Sequence, residues 1–373
     1  MNPAVKLNPT VDWKMEAGPL RPLLVDDSVS EIMVNSHNEI FVERGGMIER
    51  STAQFSNAMA LNQCIQSLCV HAGREVNRKM PFLDARLPDG SRMNVVVPPV
   101  AFGGPVLTIR KAQNALLNYR ALINAGSLTE KAVYFLNKCV DCRQNIVITG
   151  GGGSGKTTLL SVLTSFIDGN QRVITIEDAT EVAVQVKNFV RMELPQSVSS
   201  EARVTMTDLL RNALRMRPDR IVVGECRGPE TLDMLLAMNT GHEGSMTTIH
   251  ANQAIDGLAR MESMVVHSGT SMPMSLIQKN IGTTVQFVMH VERGPDGKRR
   301  LEEVLEIRGW EGGQYLTTPI FKWNEDDGLV TLGNVPRFAL KSPVPGIEFP
   351  DARTFFKPDT DVSFSSAPKP APK

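Results

Sequence analysis

Asn145-Ile-Val-Ile-Thr149, Gly150-Gly-Gly-Gly-Ser-Gly155-Lys156-Thr157 and Thr158-Leu-Leu-Ser-Val-Leu163 follow one another without a gap, and their order decides the architecture. A short β-branched apolar run, a glycine-rich turn and an apolar helical stretch are what a strand, a phosphate-binding loop and a helix require. The turn fits the spacing GxxxxGK[ST]. Gly151, Gly152, Gly153 and Gly155, with Ser154 among them, allow consecutive backbone N–H groups to curl around phosphate oxygens, reinforced by the positive end of the following helix. Lys156 is placed to meet the β and γ phosphates. Thr157 is placed to set its hydroxyl on Mg2+, which takes oxygen ligands and keeps several waters, and Thr158 follows in the first helical turn. A flexible glycine linker needs neither the Lys-Thr pair nor the flanking strand and helix.

Hydrolysis at such a loop also needs carboxylates to hold the hydrated metal and orient water. Arg172-Val-Ile-Thr-Ile176 delivers Glu177-Asp178, and Ile221-Val-Val-Gly224 delivers Glu225. Both sit at strand ends, and in a parallel sheet the C-terminal strand edge is where ligands bind. Glu177 and Glu225 are therefore catalytic candidates, with Glu225 also a metal ligand beside Thr157. His250 ends the run Thr247-Thr-Ile-His250, where an imidazole can hydrogen-bond a γ phosphate. His37, His71, His242, His267 and His290 have no comparable setting and are read as core or surface.

Working outward, Asn145 to Thr149, Arg172 to Ile176, Ile221 to Gly224 and Ser245 to Ile249 are separated by helix-length segments, the pattern of an α/β domain with a parallel sheet. Residues 283–323 alternate around the turn Gly294-Pro-Asp-Gly297 and read as an antiparallel addition. Upstream, short alternating runs in residues 31–50, helical periodicity in residues 56–76 and strand-like runs through residue 109 read as a smaller α+β domain. The expected division is an N-terminal extension at 1–30, the α+β domain at 31–111, a linker at 112–127, the nucleotide domain at 128–338 and a disordered Pro/Ser/Lys-rich tail at 339–373.

The 373 residues carry 40 Lys plus Arg against 40 Asp plus Glu, a balance that argues against a strongly basic nucleic-acid domain. No signal peptide and no run of eighteen apolar residues is apparent, so the chain reads as cytosolic. The five cysteines lack the second CxxC of a zinc site. Cys139 and Cys142 recur with Ala132, Val133, Phe135, Leu136 and Val140 at helical spacing, which reads as a buried helix face.

The ordered set of the loop, the acidic box Ile176-Glu-Asp-Ala-Thr-Glu181, Arg215-Met-Arg-Pro-Asp-Arg-Ile-Val-Val-Gly-Glu225, Asn239-Thr-Gly-His-Glu-Gly244 and the histidine box 247–252 resembles the secretion superfamily ATPases of pilus assembly, type II secretion and type IV secretion. Within it, Glu31-Ile-Met-Val-Asn35, Leu83-Asp-Ala-Arg-Leu-Pro-Asp-Gly-Ser-Arg92 and Leu107-Thr-Ile-Arg-Lys111 are similar to the N-terminal domain of the Tad (Flp-type) pilus ATPases. The resemblance implies a RecA-like P-loop ATPase domain preceded by a smaller α+β N-terminal domain, with ATP and Mg2+ as ligands. It also implies a homohexamer at the inner face of the cytoplasmic membrane, docked on inner-membrane platform proteins. Arg92, Arg110 and, third, Arg86 match N-domain arginines that reach the nucleotide phosphates. The implied function is an ATP-hydrolysing motor for a Tad/Flp-type pilus or a related export apparatus; the alternatives are a type IV secretion ATPase and, from another class, a RecA-like nucleic-acid translocase. Domain closure about residues 112–127 is the expected useful motion.

Overall fold

The computed structural model describes residues 12–112, 118–195, 204–325, 327–349 and 351–358. Two compact units divide the chain, Met1–Leu116 and Leu117–Lys373.

In the first unit a 3-10 helix (Trp13–Leu20) leads into α1 (Arg21–Val25), and α2 spans Ala58–His71. The strands are β1 (Val29–Ser36), β2 (Glu39–Arg44), β3 (Met47–Arg50), β4 (Phe82–Arg86), β5 (Arg92–Val96) and β6 (Val106–Arg110). They form one antiparallel sheet in the order β3-β2-β1-β6-β5-β4. Alternation along each strand puts Ile32, Val34, Ile40, Val42, Met93, Val95, Leu107 and Ile109 on one face. They share a buried core with Leu61, Ile65 and Leu68 of α2. Trp13, Ala17, Leu20 and Leu24 belong to that same core, so the expected extension at 1–30 is corrected from residue 12 onward. Its apolar residues are too few and too interrupted by Gly18 and Pro19 to show a period.

The second unit contains α3 (Tyr119–Asn124), α4 (Glu130–Asp141), β7 (Ile146–Gly150), α5 (Lys156–Ser165), β8 (Arg172–Glu177), β9 (Asn188–Glu193), α6 (Met206–Ala213), β10 (Arg220–Val223), α7 (Glu230–Asn239), β11 (Met246–His250), α8 (Ala254–His267) and α9 (Met274–Thr284). Beyond these come β12 (Phe287–Arg293), β13 (Arg299–Glu311), β14 (Gln314–Asn324), β15 (Gly328–Thr331), α10 (Arg337–Leu340) and α11 (Ala352–Phe355). The nine strands are ordered β15-β14-β13-β12-β7-β11-β10-β8-β9. From β12 to β9 every neighbouring pair is parallel, whereas β12 to β15 pair antiparallel. Apolar layers lie on both faces, as a parallel sheet demands.

The expected α/β fold with its parallel sheet is therefore present, with two adjustments. β12, read from sequence as part of the antiparallel addition, pairs parallel with β7. Its residues 287–291 are all buried, as befits a strand covered on both faces. β9 extends the parallel sheet at its other edge.

Two expected boundaries are also corrected. Of the linker expected at 112–127, residues 113–117 lie outside the described residues, and Tyr119, Leu122 and Ile123 pack against the core of the second unit. Of the tail expected at 339–373, Ala339, Phe349, Ala352 and Phe356 are buried in that core; residues 359–373 lie outside the described residues. Phe356 meets Phe135 edge-on at 5.9 Å and Phe321 at 6.4 Å, contacts that polar composition alone conceals. Cys139 is buried in α4 and Cys142 at its C-cap, with burial raising both thiols, so both pack into the core.

Candidate functional site

Because β7, β8, β10 and β11 run parallel, their C-terminal ends share one edge of the sheet. The loop at 150–157 leaves β7 between β11 and β12. A Cβ on Gly150 would stand 2.3 Å from the Val291 carbonyl oxygen and 2.4 Å from Ser154 Oγ, so a larger residue cannot close this turn. Gly153 and Gly155 take left-handed φ values of 66° and 101°. Gly155 is the N-cap of α5 and has no side chain to occupy the helix's first N–H groups. Ser154 is buried, and its Oγ has no hydrogen-bond partner. It is a buried hydroxyl beside Gly150 that the loop itself leaves unsatisfied. Lys156 Nζ donates to the carbonyls of Gly150 (3.0 Å) and Gly151 (2.7 Å), which keeps the amine over the loop. Gly151, Gly152, Thr157 and Thr158 complete the segment, and Thr157 Oγ1 lies 3.5 Å from Glu181 Oε2.

Glu177 ends β8 and is 2% exposed. Its Oε2 accepts the N–H groups of Glu181 (2.7 Å) and Val182 (2.8 Å), while Oε1 is buried without a partner. Burial raises its pKa above the ordinary carboxylate value, against the pull of those two N–H groups. Gly224 makes room for this side chain, since a Cβ there would lie 2.9 Å from Glu177 Cγ. Glu225 follows β10 and is paired instead: Arg227 Nε donates to its Oε2 at 2.6 Å, and the same guanidinium reaches Asp178 Oδ2 at 2.7 Å. His250 closes β11 opposite Gly150 in register. It is exposed, and its Cε1 lies 3.9 Å from where a Gly152 Cβ would be.

Loop, both glutamates and His250 thus gather at one sheet edge. Hard oxygen donors of the kind Mg2+ takes are present along this edge: the Thr157 hydroxyl, with Glu181 Oε2 3.5 Å from it, and the Glu225 carboxylate. The arginines lie in the first unit. Arg86, Arg92 and Arg110 are directly opposed on β4, β5 and β6, with Glu31 of β1 next in the row. Each neighbours a buried residue of its strand (Ala85, Met93, Ile109), so the row occupies the face away from the core.

Sequence reasoning missed Arg227 and Arg299. Arg299 Nε donates to the Gly153 carbonyl at 2.7 Å. Arg227 stands two residues from Glu225, a spacing that could have been noticed; Arg299 is 146 residues from Gly153 and depends on β12 lying beside β7. Two of the sequence motifs also gain a structural reason. Buried Arg220 donates to Gln171 Oε1 (2.6 Å), the Gly244 carbonyl (3.2 Å) and the Val140 carbonyl (2.7 Å), and desolvation lowers its pKa to about 10. A Cβ on Gly244 would sit 2.4 Å from that guanidinium. Asn145 is similarly saturated, bonding Met238, Thr284 and Gly244 at the start of β7.

Comparison with known proteins gives a consistent picture. Residues 14–304 match the family described as Type II/IV secretion system protein. The conjugal transfer protein TrbB of Rhizobium radiobacter is 34% identical over 307 residues, covering 81% of this chain and 91% of the relative. The type IV secretion system protein VirB11 of Bartonella henselae is 30% identical over 325 residues, covering 77% and 90%. Among solved structures, the ATPase DotB of Yersinia pseudotuberculosis superposes with a TM-score of 0.58 at 19% identity over 78% of each chain, a likeness of fold.

Proposed function

Since the chain belongs to the Type II/IV secretion system protein family, within the secretion superfamily ATPases, we propose that it hydrolyses ATP at the loop 150–157 and thereby drives a type IV secretion or conjugal transfer apparatus. The observation that carries the chemistry is the pairing of a glycine cradle with two carboxylates in unlike states at adjoining strand ends.

In this reading Ser154, Lys156 and the loop N–H groups bind the phosphates. Thr157 and Glu225 would hold Mg2+, which would supply charge neutralisation when bound. Glu177 is the proton acceptor, because burial raises its basicity and Oε1 has no protein donor competing for it. Water gives a proton to that carboxylate, its oxygen bonds the γ phosphorus, and the bond to the β–γ bridging oxygen breaks to leave ADP and phosphate. His250, beside the loop, is the group that reads the γ phosphate. Arg86, Arg92 and Arg110 contribute positive charge from the first unit, and closure about the connecting segment is the mechanical output.

A homohexamer attached to inner-membrane platform proteins at the cytoplasmic face is the assembly this reading requires. No helix among the described residues is long and apolar enough to cross a membrane. The neutral formal charge speaks against the nucleic-acid translocase. A Tad/Flp pilus motor is the second reading, favoured by the N-terminal segments around Glu31, Arg92 and Arg110; the names of the relatives favour conjugal transfer and type IV secretion.

Phosphate release from MgATP by the purified chain tests the chemistry. Lys156→Ala and Glu177→Gln should both abolish turnover, and hydrolysis by Lys156→Ala at the parent rate would overturn the assignment. A deletion strain scored for DNA transfer, protein export and surface pili tests the apparatus; loss of pili alone would replace the first reading by the second.

A further inference from the structure

The loop at 150–157 is gripped from outside by one side chain that the proposed chemistry does not use. Arg299 opens β13, and its Nε donates to the Gly153 carbonyl at 2.7 Å. Its aliphatic stem covers the next glycine, with Cδ 3.4 Å from the position a Gly155 Cβ would take. In a trans peptide the C=O of one residue and the N–H of the next point in opposite directions. Fixing the Gly153 carbonyl therefore also fixes the Ser154 N–H, which donates to the Gly151 carbonyl at 3.5 Å, the same carbonyl that Lys156 Nζ contacts.

Arg299 is itself clamped. Ser127 Oγ donates to the Arg299 carbonyl at 2.5 Å, and the Leu301 N–H donates to the Ser127 carbonyl at 3.1 Å. Ser127 lies in the second unit, shortly after its first residue, Leu117, and directly before the capping segment of α4. A continuous set of hydrogen bonds thus runs from Ser127 through Arg299 to Gly153, over residues far apart in sequence and all within one unit.

We infer that Arg299 is a positioning residue for the phosphate loop: it holds the Gly153–Ser154 peptide in one orientation before nucleotide binds, and Ser127 holds the Arg299 main chain in place. A glycine-rich segment has many accessible backbone conformations, and an external hydrogen bond from a guanidinium removes some of them before the nucleotide arrives. The inference rests on the reading of 150–157 as the nucleotide loop.

The test uses the full chain, a fluorescent ATP analogue with Mg2+, steady-state hydrolysis, and amide hydrogen exchange of the loop measured without nucleotide. Arg299→Ala should weaken analogue binding and raise KM about tenfold, the effect of losing one charge-assisted hydrogen bond, with kcat changed less than about twofold and faster exchange confined to residues 150–157. Arg299→Lys, which keeps a charged donor, should recover most of the binding. Ser127→Ala should shift both readouts the same way by a smaller factor. If the parent chain binds no analogue, the nucleotide-loop reading itself fails. If the parent binds and Arg299→Ala binds equally well, the inference is overturned. It is likewise overturned if binding weakens while loop exchange stays unchanged, because the guanidinium then acts on the nucleotide and not on the loop. A variant that loses its cooperative melt is replaced by Arg299→Gln, which carries the same expectations.

Discussion

Glu177 and Glu225 stand at the ends of adjacent strands, β8 and β10, yet they are held in opposite ways. Glu177 is sealed from solvent, anchored by two backbone N–H groups, and has one oxygen without a partner. Glu225 is partly accessible and shares a guanidinium with Asp178. Strand position brings both carboxylates to the same edge; the immediate neighbours decide what each can do. Burial favours the protonated form and suits a group that takes up a proton, whereas Glu225 lies beside a guanidinium with which a metal ion would have to compete.

The largest expected effect comes from removing the buried group. Glu177→Gln should lower kcat by about a thousandfold with little change in KM, within the range of a lost general base; retention of even a tenth of the parent rate would show that the two carboxylates are not divided as proposed. Its stability should move in the other direction. A carboxyl whose folded pKa is raised favours the folded state below its ordinary value, and that contribution is lost as pH rises through the folded value. Melting curves should accordingly show Glu177→Gln gaining more, relative to the parent, at about pH 7 than at about pH 4. A larger gain at the acid end would contradict the burial argument.

Next in size is Gly224→Ala, which forces a methyl group within 2.9 Å of Glu177 Cγ. Overpacking of this kind costs about 1–3 kcal/mol in chemical denaturation, and turnover should fall with it although every candidate catalytic group remains. The acid limb of kcat should have its midpoint above 4.5, the ordinary glutamate value from which burial raises Glu177, and Glu177→Gln should lack that limb. Arg227→Ala should have the smallest effect. Its side chain is 59% exposed, so stability should change by less than about 1 kcal/mol. Removing a positive charge from Glu225 should lower the Mg2+ concentration for half-maximal activity by about two- to threefold. A rise instead would mean that the guanidinium orients the carboxylate more than it competes for it.

The loop and its strand were legible because glycine, lysine and threonine at fixed spacing next to an apolar run suit phosphate binding and little else. The strand-end glutamates were legible as positions, but their different states were not: nothing in Ile176-Glu177 or Gly224-Glu225 says that one side chain folds under a glycine and the other meets Arg227. Arg86, Arg92 and Arg110 were singled out by resemblance, and register shows what they share, a row on one sheet face. β12 was read with the antiparallel strands because Gly294-Pro-Asp-Gly297 announces a hairpin, while its parallel partner β7 lies far earlier in the chain and leaves no local trace. The end of the chain misled for a related reason. Its composition is polar, and Phe349, Phe355 and Phe356, which matter only when they meet Phe135 and its neighbours, are diluted within it.

With β7 flanked by β11 on one side and by β12 on the other, the strand ends bearing Glu177, Glu225 and His250 and the hairpin bearing Arg299 occupy separate flanks of the loop's strand. A change in the turn before Arg299 can therefore alter how firmly the loop is held without touching the strand ends that carry Glu177, Glu225 and His250.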